Sequence, residues 1–180
     1  MIAIILANGF EEIEALCPLD MLRRAGLDVK TISITDSKTV IGSHGIPVIA
    51  DMTADEIDIS SFSDVIFPGG MPGAKNIDEW QRTDELIEHV IKNGGRLAAI
   101  CAAPMILGKR GYLKDKKAVC YPGFEETLIG AHVKNCSVVT DGSITTARGM
   151  GVALDFAKEL VKLFSGKEKA NELSRTIMEK

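Results

Sequence analysis

The run Arg96-Leu97-Ala98-Ala99-Ile100 ends abruptly in Cys101, two alanines and Pro104. A short apolar run that follows the turn signal Asn93-Gly94-Gly95 reads as a buried parallel strand. Proline is tolerated only in the first turn of a helix, so a helix starts at Pro104. Cys101 therefore lies where a strand bends sharply into a helix. Such an elbow aims a side chain out of the end of a sheet. The free N–H groups and positive pole of a helix start beside it favour thiolate over thiol. The chemistry open to a cysteine so placed is attack on an electrophilic carbon, or its own oxidation. The bland reading is a buried structural cysteine, since free cysteines are among the most buried residues.

Three further segments carry candidate chemistry. Asn8-Gly9-Phe10-Glu11-Glu12-Ile13-Glu14 opens a helix. Acids in a first helical turn complement the macrodipole, which accounts for Glu11 and Glu12. Glu14 stands apart, because Pro18 supplies no N–H to its carbonyl and the helix must kink or loosen there. A Glu14 turned inward at the strand ends has little water around it. Its pKa rises, and in the protonated form it can donate a hydrogen bond to a thiolate. Phe67-Pro68-Gly69-Gly70-Met71-Pro72-Gly73 is a glycine-rich turn. Glycine is the default where φ is positive, but it also lets backbone N–H groups approach a ligand, so Gly70 and Ala102 are candidate oxyanion donors. The lysine and hydroxyl of a phosphate-binding P-loop are missing, and G-x-G-x-x-G does not fit. In Thr146-Ala147-Arg148-Gly149-Met150-Gly151, Arg148 either pins a loop by hydrogen bonds or supports the site.

These residues need elements to bring them together. Apolar runs at 2–7, 28–34, 65–67, 97–100, 118–120, 137–140 and 144–146 read as strands, with two more short pieces within 39–50 forming a hairpin-like excursion. Helices are expected at 11–25 (closed by Gly26), 83–93, 103–110, about 150–164 and about 167–178. This repeated β-α-β order means a mostly parallel sheet with helices on both faces. Ligands bind beyond the carboxyl ends of such strands. Cys101, Gly69-Gly70 and the Asn8–Glu14 segment all follow strands at that edge.

The composition is that of a soluble globular chain, with 46% apolar and 26% charged residues. At 180 residues a single domain, 1–180, is expected. A net charge of −4 without a basic cluster argues against a nucleic-acid partner. The apolar start, Met1–Ala7, lacks a positive flank and runs straight into Glu11-Glu12, so it reads as a core strand, not a signal peptide or membrane span. A cytoplasmic location without membrane contact is expected. Cys17, Cys120 and Cys136 sit in apolar surroundings and read as core or interface filling. Disulfides are not expected. Nor is a metal site, because His44, His89 and His132 are scattered without paired ligand spacing.

The segments Gly9–Glu14, Pro18–Gly26, Phe67–Gly70, Ala99–Pro104 and Arg148–Gly151 together resemble the ThiJ/PfpI superfamily, in the branch of the parkinsonism-associated DJ-one protein and its bacterial relatives. The resemblance covers essentially the whole chain. It implies a flavodoxin-like three-layer α/β sandwich, Cys101 as the reactive cysteine and Glu14 as its partner acid. It also implies Gly70 and Ala102 as backbone donors, no cofactor, and a homodimer whose contact lies close to the site. The apolar character around Leu16, Cys17 and Met21 agrees with the last point. Two departures matter. The protease-like branch has a histidine after the cysteine where this chain has Ala102, which disfavours a Cys-His protease. The human-type branch has a His-Pro pair where this chain has Tyr121-Pro122, leaving Tyr121 as a supporting residue and no histidine base. His44 falls roughly where relatives place an arginine near the site.

The activity implied is a cysteine-dependent, glutathione-independent glyoxalase or deglycase acting on methylglyoxal, glyoxal or their early adducts. The alternative is a redox-responsive or chaperone-like stress protein in which Cys101 is oxidised to the sulfinate. The same residues serve both.

Overall fold

The computed structural model describes residues 1–178. In chain order the elements are β1 (Ile2–Leu6), α1 (Glu12–Arg24), β2 (Val29–Ser33), β3 (Thr39–Ile41), β4 (Pro47–Ile49) and β5 (Met52–Thr53). There follow β6 (Asp64–Phe67), α2 (Gly73–Asp78), α3 (Thr83–Lys92), β7 (Leu97–Ile100), α4 (Pro104–Lys109), β8 (Lys117–Ala118) and β9 (His132–Val133). The chain closes with β10 (Val138–Asp141), β11 (Ile144–Ala147), α5 (Ala153–Ser165) and α6 (Lys167–Thr176).

Seven strands pair in the order β10-β11-β7-β6-β1-β2-β5. All neighbours are parallel except β10 and β11. Without the two edge strands the order is β2-β1-β6-β7-β11, the 2-1-3-4-5 pattern of a flavodoxin-like α/β sandwich. Alternation along a strand sorts the core into two layers. Ala3 and Ile5 of β1 face the layer holding Ile77 of α2, Leu86 and Val90 of α3, and Ile106 of α4. Ile2, Ile4 and Leu6 face Met21 and Leu22 of α1 and Phe156 and Leu160 of α5. β1 is buried on both faces, which is why it reads as an unbroken apolar run. In α5 the buried Ala153, Phe156, Ala157, Leu160 and Val161 follow the i, i+3, i+4, i+7, i+8 spacing of a one-faced helix.

The chain leaves β1 for β2 on one side and reaches β6 on the other. That reversal opens a crevice at the carboxyl end of the sheet. The start of α1 and the turns after β6 and β7 meet there.

The hairpin-like excursion is the antiparallel pair β3–β4. Other details differ from the sequence reading. α2, β5 and β9 were not expected; each is too short to carry a period. α1 carries Pro18 inside it, within the helix expected at 11–25. The helix expected from about 150 begins at Ala153, after a 3-10 turn over Met150–Val152. Residues 179–180, the end of the expected single domain, lie outside the described residues. No helix among the described residues is long and apolar enough to cross a membrane.

Candidate active site

Cys101 follows β7 directly and has φ +64°, a left-handed conformation uncommon for any residue with a side chain. Such strain persists only where the surroundings over-determine it. Here they do: the Cys101 N–H donates to Ala147 O at 2.9 Å, and its carbonyl accepts the Tyr121 N–H at 2.8 Å. Pro104 is the first residue of α4, as its chemistry demands. The elbow expected from the sequence is present, and the backbone N–H groups of Gly70 and Ala102 both bear on the sulfur.

The turn after β6 is glycine because nothing larger fits. A Cβ on Gly69 would lie 2.6 Å from Cys101 Cβ and 2.5 Å from Glu14 Oε2. One on Gly70, where φ is +85°, would lie 2.3 Å from the Glu11 nitrogen. The turn thus lets its own backbone stand between α1 and the cysteine. Gly69 N–H donates to Glu14 Oε2 at 2.9 Å, and Gly69 O accepts the Glu11 N–H at 2.9 Å.

Glu14 is fully buried. Its Oε1 has no hydrogen-bond partner among the described residues. Burial pushes its carboxyl up to about 7, against the opposing pull of hydrogen bonds from Cys101 and Gly69. The rise agrees with the sequence reading. The behaviour of the sulfur does not. Burial, then the charge of Glu14, push the Cys101 thiol up to about 12, outweighing the Gly70 and Ala102 donors. Cys120 rises to about 11 and Cys17 also rises, in each case chiefly by burial. The thiolate that a helix start was expected to favour is therefore disfavoured here. α4 has six residues, and its favourable pole is outweighed by lost water and a neighbouring carboxylate.

Both shifts belong to one pair. Two negative charges in a buried site repel, so Cys101 and Glu14 retain one proton between them over a wide pH range. The singly charged pair has two forms, thiol with carboxylate and thiolate with carboxylic acid, exchanged by moving that proton between the two side chains.

Tyr121 and Arg148 flank this core differently. Tyr121 is half exposed. Its ring packs beside Gly149, where an added Cβ would sit 3.3 Å from the ring and 4.0 Å from Cys101 Sγ. Arg148 donates its backbone N–H to Ser137 O and its Nη1 to Asn135 Oδ1, 3.0 Å away, so it does pin a loop.

Sequence reasoning missed one cluster. Glu12 is buried, not a solvated helix-start charge. Its Oε1 accepts the His44 backbone N–H at 2.9 Å, and its Oε2 lies 2.9 Å from His44 Nδ1. Burial alone would raise Glu12, but the hydrogen bonds from His44 hold it at about 2. The hydrogen bond to Glu12, then the charges of Glu11 and Glu12, raise His44 in turn. Ligand atoms of Glu11, Glu12 and His44 lie within 4.8 Å of one another, a grouping in space that the spacing of the histidines in sequence does not record. Both oxygens of Glu12 are already engaged by the hairpin, so the group works as a latch holding β3–β4 onto α1. Neighbouring Glu, Ser and His on separate elements leave no spacing signal in a sequence.

Known proteins resemble the chain over most of its length. A family model described as DJ-1/PfpI family matches residues 1–163. Protein DJ-1 homolog B of Arabidopsis thaliana is 38% identical over 171 residues, 94% of this chain and 39% of that protein. The chain thus spans about two fifths of that relative's length. Deglycase PfpI of Pyrococcus furiosus is 32% identical over 160 residues, 87% of this chain and 95% of its own. The solved structure of oxidized Toxoplasma gondii DJ-1 superposes with a TM-score of 0.93 at 31% identity, covering 98% of this chain and 97% of that one.

Proposed function

The chain belongs to the DJ-1/PfpI family, and from that premise we propose that it is a cysteine-dependent, glutathione-independent enzyme acting on methylglyoxal, glyoxal or their early adducts. The observation that carries this is the buried carboxyl of Glu14 beside Cys101 at a strained elbow, with two backbone donors on the sulfur. The similarity to a deglycase over 95% of its length supports it.

With methylglyoxal, Cys101 Sγ adds to the aldehyde carbon and the carbonyl π electrons move to oxygen. Gly70 and Ala102 N–H groups stabilise that oxyanion before it is protonated to a hemithioacetal. Glu14 carboxylate removes the proton from the thiohemiacetal carbon and returns it to the adjacent carbon through an enediol. One carbon is oxidised as its neighbour is reduced, so no external oxidant is needed. Water then cleaves the resulting thioester, releasing lactate and restoring the thiol. In an amine or thiol adduct the aldehyde carbon is already tetrahedral, so Cys101 Sγ displaces the amine or thiol, which leaves with a proton as its C–N or C–S bond breaks, and the resulting hemithioacetal follows the same course. Tyr121 offers no imidazole base, and a lost general base costs on the order of 10²–10⁴-fold in rate, so turnover is slow.

Lactate formation from methylglyoxal, measured without glutathione, is expected for the wild type and lost in Cys101→Ser. Equal production by both would sink the enzyme reading. It would leave the redox-responsive one, which the two N–H groups on the sulfur also favour, because they can hold sulfinate oxygens as helix starts hold other anions. We also propose a cytoplasmic homodimer. Its support is apolar surface on neighbouring elements: Ile13 of α1 and Ile41, Ile46 and Ile49 of the hairpin are exposed. Met21, expected at that contact, is instead buried in the core, and Leu16 and Cys17 are half-buried.

A further inference from the structure

Two adjoining depressions run along the turn that follows β11, the first of them close to Cys101. One, of about 350 Å³, is walled by Tyr121, Pro122 and the Arg148–Val152 turn. Its lining residue Gly149 is the one nearest the sulfur: a Cβ added there would sit 4.0 Å from Cys101 Sγ. The second, also about 350 Å³, shares Pro122 and Arg148 with the first and continues past Asn135 and Lys134. Methylglyoxal has five heavy atoms. At roughly 30 Å³ each, the share of a liquid water, it fills less than half of the first depression alone. The space suits a larger molecule.

The charge of the walls says which kind. Arg148 is the one charged side chain lining the first depression and is common to both. Its guanidinium partner, Asn135 Oδ1, is neutral, so its positive charge is not cancelled by that bond. Lys134 adds a second positive charge in the further depression, against Glu125. On the other side of the sulfur stands the buried carboxyl of Glu14, held by the Gly69 N–H, whose charge bears on Cys101. An anionic substituent on a bound molecule is therefore favoured on the Arg148 side alone.

We propose that the substrates are adducts whose amine or thiol component carries a carboxylate, and that Arg148 reads this charge. This rests on the deglycase reading above and narrows its substrate class. Arg148 fastens its loop through Asn135 and lines both depressions, and a planar guanidinium is matched to a carboxylate.

The test uses binding, so that it does not depend on turnover. N-lactoyl-glycine and N-lactoyl-γ-aminobutyrate, each paired with its C-terminal amide, are titrated calorimetrically into the Cys101→Ser protein at low salt. In at least one pair the acid is expected to bind about three- to tenfold tighter than the amide, the range of one net charge-assisted hydrogen bond at an open site. The preference should collapse in Cys101→Ser/Arg148→Gln and persist with Arg148→Lys. It should also fall as salt shortens the screening length from about 10 Å at 0.1 M toward about 3 Å at 1 M. The salt arm needs no second variant, so a misfolded Arg148→Gln does not rescue the idea. Equal affinity of acid and amide in both pairs, or no binding of either acid in the millimolar range, overturns it. A clear acid preference in a protein whose wild type makes no lactate leaves this inference standing and removes the activity. Lactate without any acid preference does the reverse.

Discussion

Glu14 is wholly buried and Cys101 half-buried; burial raises the proton affinity of both, and the charge of Glu14 raises that of Cys101 further. The pair should lose its first proton near about 7 and its second only near about 12. Alkylation of Cys101 against pH, followed site by site by mass spectrometry, is expected to show two phases in the wild type. In Glu14→Gln it should show one, because an amide carries no second charge. A two-phase profile that survives in the variant would mean that the sulfur titrates against some other group. The same shift has a consequence for stability. Glu14 has a folded pKa of about 7 against an ordinary 4.5. A raised carboxyl pKa means the folded chain binds the proton more tightly than the unfolded chain. Its contribution is therefore fully present below 4.5 and is lost as pH rises through about 7. The loss is about 3 kcal/mol at about 1.4 kcal/mol per unit. Glu14→Gln escapes it, so thermal unfolding should show the variant gaining on the wild type as pH rises across that window. A gap that stays constant with pH would contradict the buried-charge argument. Activity and stability pull in opposite directions at this residue.

Among the elements, the β3–β4 hairpin depends most on charges. Its tip reaches α1 through Glu12 and His44, and the Ser43 N–H donates to Phe10 O at 2.8 Å. The latch needs Glu12 ionised, a contribution present above 4.5 and lost as pH falls through about 2. It also gains from protonated His44, a contribution fully present below 6.5 and lost as pH rises through the raised folded value. Hydrogen exchange at the His44 amide, relative to its intrinsic rate at each pH, should therefore be slowest between these limits. Glu12→Gln should speed it and remove the acid limb, while leaving amides of β1 protected. Unchanged exchange in that variant would show that the Phe10 contact alone holds the hairpin. Part of this was readable beforehand. The pattern within 39–50 pointed to a hairpin, and the first turn of α1 was recognisably acidic. That the two meet was not readable, because 30 or so residues of chain separate them and no local period records the contact.

For the molecule as a whole, the proposed dimer is the claim that most needs a measurement. Ile49 is 77% exposed and Ile46 51% exposed on the hairpin, beside Ile13 of α1 at 49%. Sedimentation at micromolar concentration should show a dimer, and Ile49→Glu should shift it toward monomer by placing a charge in a dehydrated contact. A wild-type monomer removes the claim. Apolar alternation along the chain determined the fold class, since strands and helices each announce their own period and their β-α-β order demands a parallel sheet. Local chemistry also located the elbow: only a strand-to-helix turn accommodates the sequence around Cys101 and Pro104. Topology then placed Glu14, Gly70 and Cys101 at one edge. The tertiary structure decided which groups touch and how much water they keep. It set the strand order, paired the carboxyl of Glu14 with Gly69 and Cys101, and joined His44 to Glu12. It also reversed the expected acidity of the sulfur. Periodicity is a property of neighbours in sequence, whereas burial and Coulomb interaction depend on distance in space, and the residues that set them here come from positions as far apart as 14, 69, 101 and 149.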